Sequence, residues 1–326
     1  MSSAPRKLIG NMTMPTNALS QRWRGQANRL EAWYATLSDR SSGIGLWVHH
    51  EMVAPSAGEP YAHGWTALFR PSQPVLLERF GPSPAGPHLP TDSYAPCSGS
   101  AIDPPGIRGS AGRLAWDLHW GTAAVRPLWT FPSWAWQREV LPAAQVVPVP
   151  NASFQGTIAL DGETFTLSGL TRGNLAHIYG HGSAERWGWL HADLGGGDVL
   201  EIVSAVSRRP AMNRLPPLAF IQLRLGEHDW PRDPLLAAPL FRTQLGLPRW
   251  EVSGTLGRWR LRVEVEIPPQ GAVEVGYVDP DGATATCTNS EIANALVVLE
   301  HRRNHWEIEH EWSLRGTAHS EIGTRP

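Results

Sequence analysis

"WRLRVEVEI", Trp259–Ile267, decides the fold class because its alternation runs without a slip. Leu261, Val263, Val265 and Ile267 fall on one face, and Arg262, Glu264 and Glu266 on the other. Side chains along a strand point to opposite faces in turn, so the pattern describes a strand with one core side and one wet side.

Similar short runs fill the chain in both directions. Upstream lie "RLEAWYATLSD" from Arg29, "IGLWVHHEMVAP", "PYAHGWTALFR", "PVLLERF", "GRLAWDLHWG" and "LWTFPSWAW". "TIALDGETFTL" places Asp161-Gly162 at the centre of a tight hairpin. After the glycines at 195–197 the pattern restarts in "DVLEIVSAVSRR", "LAFIQLRLGEHDW", "VEVGYVDPDGATATCTNSEI", "ALVVLEHRR" and "HWEIEHEWSLRGTAHSEIG". Residues 81–113, rich in Pro, Gly and Ser, read as a long irregular connection. "PLLAAPLFRTQLG" is the best helix candidate, interrupted by Pro239. The expected architecture is all-β: two antiparallel sheets or barrels in sequence with a few short helices. A tail covers residues 1–22, a first unit 23–200 and a second 201–326, with the seam near 194–215. Closing the strands would remove exposed edges, but alternation alone does not separate a barrel from a sandwich.

Composition narrows the function classes. With 41% apolar and 18% charged residues, the 326-residue chain is globular. A net charge of −2 gives no basic field for nucleic acid. No window approaches ~18 apolar residues, so no membrane span is expected. The N-terminus lacks the apolar stretch of a signal peptide, and the sequon at Asn11 means little without one. The expected location is the cytoplasm. Cys97 and Cys287 are too far apart in sequence to suggest a metal motif or a disulfide framework. The 16 tryptophans suggest a wide, aromatic-lined interior, since each buried indole N–H needs a partner. The plainer reading is a Trp-rich β-sandwich.

The chemistry gathers in "NLAHIYGHGSAERWGWLHAD", Asn174–Asp193. On a strand Glu185, Trp187, Trp189, His191 and Asp193 share one face, a poor core and a credible pocket wall. His177, Tyr179 and His181 fall together. Glu31 sits with Trp33, Tyr61 and His63 with Trp65, and Trp116 with Trp120. Aromatic faces bind an apolar ligand and stabilise developing positive charge. A dehydrated carboxylic acid beside them can donate a proton near neutral pH. His177 and His181 have the spacing of a helical metal pair, but on a strand and without a third ligand no metal site is expected. His49–His50–Glu51 lacks the HExxH spacing, there is no GxSxG elbow, and the triple glycine lacks the helix of a dinucleotide site.

"GHGSAERWGW", "LEAWYATLSDRSSGIGLWVHHEM" and "GYVDPDGATATCTNSEIANALVVLEHRR" together resemble the AttH-like superfamily. That superfamily includes carotenoid 1,2-hydratases, tocopherol-cyclase-like proteins and decalin-forming Diels–Alderases. The resemblance implies two consecutive lipocalin-like β-barrels and an enzyme without a cofactor, acting on a hydrophobic polyene, prenyl or polyketide-type substrate. It puts His181, Trp187 and Trp189 on the family's central Gly-His/Trp motif, and Glu31, Trp33 and Tyr34 on its first barrel strand. The sequence lacks the Asn or Gln and Trp that carotenoid hydratases usually carry after that His, so carotenoid hydration itself is not expected.

The expected activity is therefore a cyclase or isomerase of secondary metabolism. Glu31, Tyr179, His181 and His191 are the polar candidates; Trp33, Tyr34, Trp65, Trp116, Trp120, Trp187 and Trp189 are the walls. In an acid-catalysed version, Glu31→Gln removes most turnover. A hydratase and a lipocalin-type carrier are the rivals. The expected partner is a hydrophobic small molecule, and a homodimer is allowed.

Overall fold

The computed structural model describes residues 18–86, 94–97, 99–121, 126–139, 141–167 and 169–326. Residues 1–17 of the expected tail, with the Asn11 sequon, lie outside the described residues.

The chain is all-β and antiparallel, as expected. The first sheet takes β1 (Arg29–Asp39), β2 (Ile44–Ala54), β3 (Tyr61–Phe69), β4 (Leu76–Pro84), β5 (Tyr94–Cys97), β6 (Ser100–Asp103), β7 (Gly106–Ala111), β8 (Leu114–Trp120), β9 (Leu128–Trp129), β10 (Ala143–Leu160), β11 (Glu163–Leu167) and β12 (Thr171–Gly180). Its order is β4-β3-β2-β1-β12-β10-β8-β7-β6-β5, with β9 and β11 also on β10. The end strands β4 and β5 touch, so the strip curls into a nearly closed barrel.

The second sheet takes β13 (Arg186–Gly195), β14 (Asp198–Val206), β15 (Leu218–Leu225), β16 (His228–Trp230), β17 (Phe241–Gln244), β18 (Arg249–Leu256), β19 (Trp259–Glu266), β20 (Val273–Val278), β21 (Thr284–Arg302) and β22 (Trp306–Thr324). Its order is β16-β15-β14-β13-β22-β21-β19-β18-β17, with β20 also on β21. Here β15 comes round to touch β17.

The sheets change over between Gly180 and Arg186, ahead of the boundary read at 200/201. The quoted stretch Asn174–Asp193 is thus the end of one sheet and the start of the other. The described part of residues 81–113 is not an irregular connection: it carries the end of β4 and the short strands β5 to β7, with Gly99, Pro104, Pro105 and Gly112 between them. The helix candidate is one turn, Pro234–Ala237, capped by the Asp233 side chain and continued by a 3-10 turn before β17. The hairpin forms as expected, with Asp161 (φ 51°) and Gly162 (φ 89°) both left-handed.

Three apolar layers result. Trp33, Leu46, Trp116, Trp120 and Phe154 fill the first barrel. Leu190, Ile202, Trp250, Leu261, Val263 and Val265 fill the second. Between them lies a seam layer of Tyr34, Trp47, Trp65 and Phe69 from the first sheet and Trp189, Val275, Tyr277 and Cys287 from the second. β1, β2 and most of β3 are buried on both faces because one face looks into the barrel and the other into the seam.

Candidate active site

A cavity of about 320 Å³ opens in the seam. Its walls are largely apolar: Leu30, Phe131, Ile178, Val203, Met212, Leu218 and Phe220, closed by Trp187 and Trp189. Tyr34, Glu51, Tyr277 and Glu321 supply polar groups to the same wall.

Strand parity sets these positions. On β13, Trp187 and Trp189 face the seam while Leu190 and Ala192 face the second barrel. On β1, Tyr34 faces the seam while Trp33 faces the first barrel's interior. Tyr34 stacks on His49 at 4.2 Å between ring centroids and meets Trp189 edge-on at 5.5 Å. Tyr277 stands edge-on to Trp65 at 5.4 Å, with its hydroxyl 3.4 Å from His49 Nδ1.

The two acids are held differently. Glu51 has His63 Nε2 at 3.0 Å and His49 Nε2 at 3.4 Å. Arg79 donates to His63 Nδ1 at 2.8 Å, so the His63 proton sits on Nε2 and is given to Glu51. Burial pushes the Glu51 carboxyl up, but the contacts with His49 and His63 outweigh it and bring it down to about 2. Burial lowers His49 despite Glu51. Glu321 Oε1 accepts from Trp187 Nε1 at 3.0 Å, the Cys287 thiol stands by as a weak donor, and Oε2 is buried with no N–H or O–H donor on it among the described residues. Burial raises its pKa, and His319, Trp187 and Cys287 offset only part of that. Opposite it in register stands the fully buried Asn289 amide, beside the Cys287 thiol. Burial, with the negative charges of Glu321 and Glu51, lifts Tyr34 well above a normal phenol; burial and the Tyr34 phenol head the causes that lift Tyr277. One cavity therefore presents a carboxyl held down by its histidines, a carboxyl pushed up by burial and two phenols pushed up. Environments that push two carboxyls apart in this way are how acid and base roles are divided at one site.

The four polar candidates from sequence stand elsewhere. Glu31 is fully buried at the end of the first barrel, accepting from Arg22 N–H at 2.6 Å, Trp23 N–H at 2.8 Å and His177 Nε2 at 2.8 Å. Tyr179 lies opposite it, beneath the Arg22 guanidinium at 4.6 Å. His181 lines a smaller adjoining hollow of about 270 Å³ with Arg208 and Arg209, its Nδ1 3.1 Å from Arg29; burial, then Arg29, lowers it. His191 hands its Nδ1 proton to Glu201 at 2.6 Å, in a network where Glu201 also accepts from Trp189 and Asn174. Of the aromatic candidates, Tyr34, Trp187 and Trp189 line the cavity and Trp65 backs Tyr277; Trp33, Trp116 and Trp120 fill the first barrel. His177 is held by Glu31 and the Ala18 carbonyl, and no group of three metal-ligating side chains occurs among the described residues.

The tocopherol cyclase-like family model matches residues 108–324. The chain belongs to that family. Two curated relatives are 49% identical over 309 residues, covering 95% of this chain and 90% of theirs: the uncharacterized proteins MT0513 and Rv0493c of Mycobacterium tuberculosis strains CDC 1551 and H37Rv. Among solved structures, an AttH-like protein from Nitrosomonas europaea matches with a TM-score of 0.58 at 14% identity, covering 98% of this chain and 99% of its own. CghA with Sch210972 matches at 0.56 and 12%, covering 91% and 88%. Kievitone hydratase from Nectria haematococca matches at 0.55 and 9%, covering 94% of each chain. At those identities the likeness establishes the shared two-barrel fold of this tocopherol cyclase-like chain.

Glu51 and Glu321 were within reach of the sequence. Glu51 follows His49–His50, dismissed for lacking a metal spacing, and Glu321 sits in "HSEIG" two residues after His319. What sequence does not supply is the pairing of β22 with β13 that sets Glu321 against Trp189.

Proposed function

We propose that this chain is a cyclase or isomerase of secondary metabolism that folds a hydrophobic polyene, prenyl or polyketide-type substrate in the seam cavity and protonates it from Glu321. The observation that carries the reading is the pair of acids on one apolar cavity, Glu51 held down by its histidines and Glu321 pushed up by burial, with no N–H or O–H donor on its Oε2 among the described residues. An alkene or enol placed against the Glu321 carboxyl would receive its proton, and the cation formed would lie beside the Trp187 and Trp189 rings. Loss of a proton after ring closure would return charge balance through the Tyr277–His49–Glu51 array. Holding the chain in a reactive fold supplies the remaining advantage.

Hydration is the second reading, favoured by the same Tyr277–His49–Glu51 array, which could activate a water as readily as accept a proton. A panel of prenylated hydroquinones and linear polyenes, followed by mass spectrometry, separates them. Cyclisation leaves the mass unchanged and hydration adds one water. Tight binding with no conversion of any member would instead make the protein a carrier.

A further inference from the structure

We propose that the segment Ser207–Leu218 docks reversibly on a bilayer surface bearing anionic lipids, so that the seam cavity takes its apolar substrate directly from the membrane. The proposal rests on the reading of that cavity as the ligand site.

The segment reads "SRRPAMNRLPPL": three arginines, no acid and three large apolar residues in twelve positions. It runs from the end of β14 to Leu218, the first residue of β15, with a single 3-10 turn at Met212–Arg214. Met212, Leu215 and Leu218 are 41%, 53% and 41% exposed. Isolated apolar side chains on a surface need no explanation, but three within seven residues, flanked by cations and beside an apolar cavity, do. Met212 and Leu218 also line that cavity, as do Arg208 and Arg209, so the exposed residues and the opening are continuous. Arg208 is held by Asp281 at 3.1 Å and by the His181 carbonyl at 3.0 Å. Arg209 and Arg214 are exposed and make no ion pair among the described residues, which leaves both for an external anion.

The charge pattern selects the partner. Cations beside apolar side chains suit an interface where acyl chains lie just beneath negative headgroups. Three arginines fall short of the four to eight typical of strong anionic-lipid binding, so the contact is weak and reversible. Weak docking suits an enzyme that must leave with its cargo. An apolar substrate also has its own reason to reside in the bilayer, and a cavity opening at the contact spares it passage through water.

The test uses the full chain and vesicles of phosphatidylcholine with and without phosphatidylglycerol, followed by co-sedimentation at low and high salt. The expected result is partitioning onto the anionic vesicles only, lost at high salt. Arg214→Ala should weaken it about five-fold, the worth of one cation near such a surface. Leu215→Ser should weaken it about ten-fold through lost apolar burial. Neither residue lines the cavity, so the affinity for a detergent-dispersed polyene, read by quenching of tryptophan fluorescence, should be unchanged in both variants. Equal binding to both vesicle types, or no effect of either substitution, would overturn the docking proposal while leaving the cavity reading intact. A dimer in sedimentation that Leu215→Ser dissolves would assign the patch to a second copy of the chain and overturn it too. Failure of every polyene to quench the wild-type protein would remove the cavity reading on which the proposal stands.

Discussion

Glu31 and Glu321 are two buried glutamates beside tryptophans, and they could hardly differ more in what they are free to do. Glu31 accepts two backbone N–H bonds and one from His177, so both its oxygens are engaged. His177 itself is stacked on Trp33 at 4.5 Å and tied to the Ala18 carbonyl, so the arrangement pins residues 18–23 across the end of the first barrel. Glu321 accepts from the Trp187 indole and has only the weak Cys287 thiol beside it, and its second oxygen has no N–H or O–H donor among the described residues. Residue type and aromatic company do not separate the two; the number of donors does. A carboxyl with three donors is a structural tie, whereas burial raises the pKa of a carboxyl short of donors at a cavity wall and so favours its acid form.

The largest expected effect breaks that contrast from the side of Glu321. Glu321→Gln keeps the shape and the contact with Trp187 but removes the transferable proton, so turnover should fall by about 10²–10⁴, the usual worth of a positioned general acid. Single-turnover mass spectrometry checks it. A variant with full activity would leave only the pericyclic version, in which the cavity acts by shape. Wild-type activity should decline as pH rises through the raised pKa of Glu321, and that limb should vanish in the variant.

Breaking the contrast from the other side should change stability. Glu31→Ala strands a buried imidazole and two backbone donors and should cost about 3–5 kcal/mol, as removal of one partner of a buried pair does. Urea unfolding measures this. Glu31→Gln, the substitution that the sequence reading offered as a test of catalysis, becomes the sharper control: it should lower the unfolding midpoint while the turnover of the folded fraction stays near wild type.

The pH dependence of stability comes next. Burial holds His50 down to about 3 and His319 to about 4. The unfolded chain gains a proton at each site as pH falls below about 6.5, while the folded chain stays neutral until those lower values. Stability from these two groups is therefore complete above about 6.5 and falls with acid, by on the order of 1.4 kcal/mol per pH unit for each histidine. Glu51 adds stability above its ordinary carboxylate range that is lost as pH approaches about 2. His319→Gln should flatten the slope of the urea midpoint against pH between about 6 and 4; an unchanged slope would place the proton uptake elsewhere.

The fold was legible where one face of a strand is wet, and much less so where both are buried. β19 keeps Leu261, Val263 and Val265 inside and Arg262 and Glu264 outside, which is the alternation the sequence displays. β1 and β2 show burial on both faces, and their polar residues answer to two different environments at once. Parity correctly put Glu31 with Trp33 and grouped Trp187 with Trp189. It could not say that the face of Glu31 points into the barrel and that of Tyr34 into the seam, because that depends on which side the second barrel packs. The site is assembled from β1, β2, β13, β20 and β22, strands far apart in sequence, and the packing of one sheet on the other brings Glu51 to one wall with Tyr277 and Glu321.

The smallest expected effect probes what aims Glu321. Gly323 follows it by two residues on β22, so both face the seam, and Trp187 lies flat on the space a side chain would fill. A Cβ at 323 would come within 2.0–2.3 Å of the Trp187 ring. Gly323→Ala must therefore displace the indole from its present place in the cavity wall. That movement takes Trp187 Nε1 from Glu321 Oε1 and reshapes the cavity in one step. Ligand affinity should fall about ten-fold, in line with the 1–3 kcal/mol of modest overpacking, and turnover should drop by far less than in Glu321→Gln, since the acid keeps its proton and loses only its orientation. If Gly323→Ala instead matched Glu321→Gln in lost turnover, the hydrogen bond from Trp187 would be what makes the carboxyl an acid catalyst, and the contrast with Glu31 would come down to one donor in the right place.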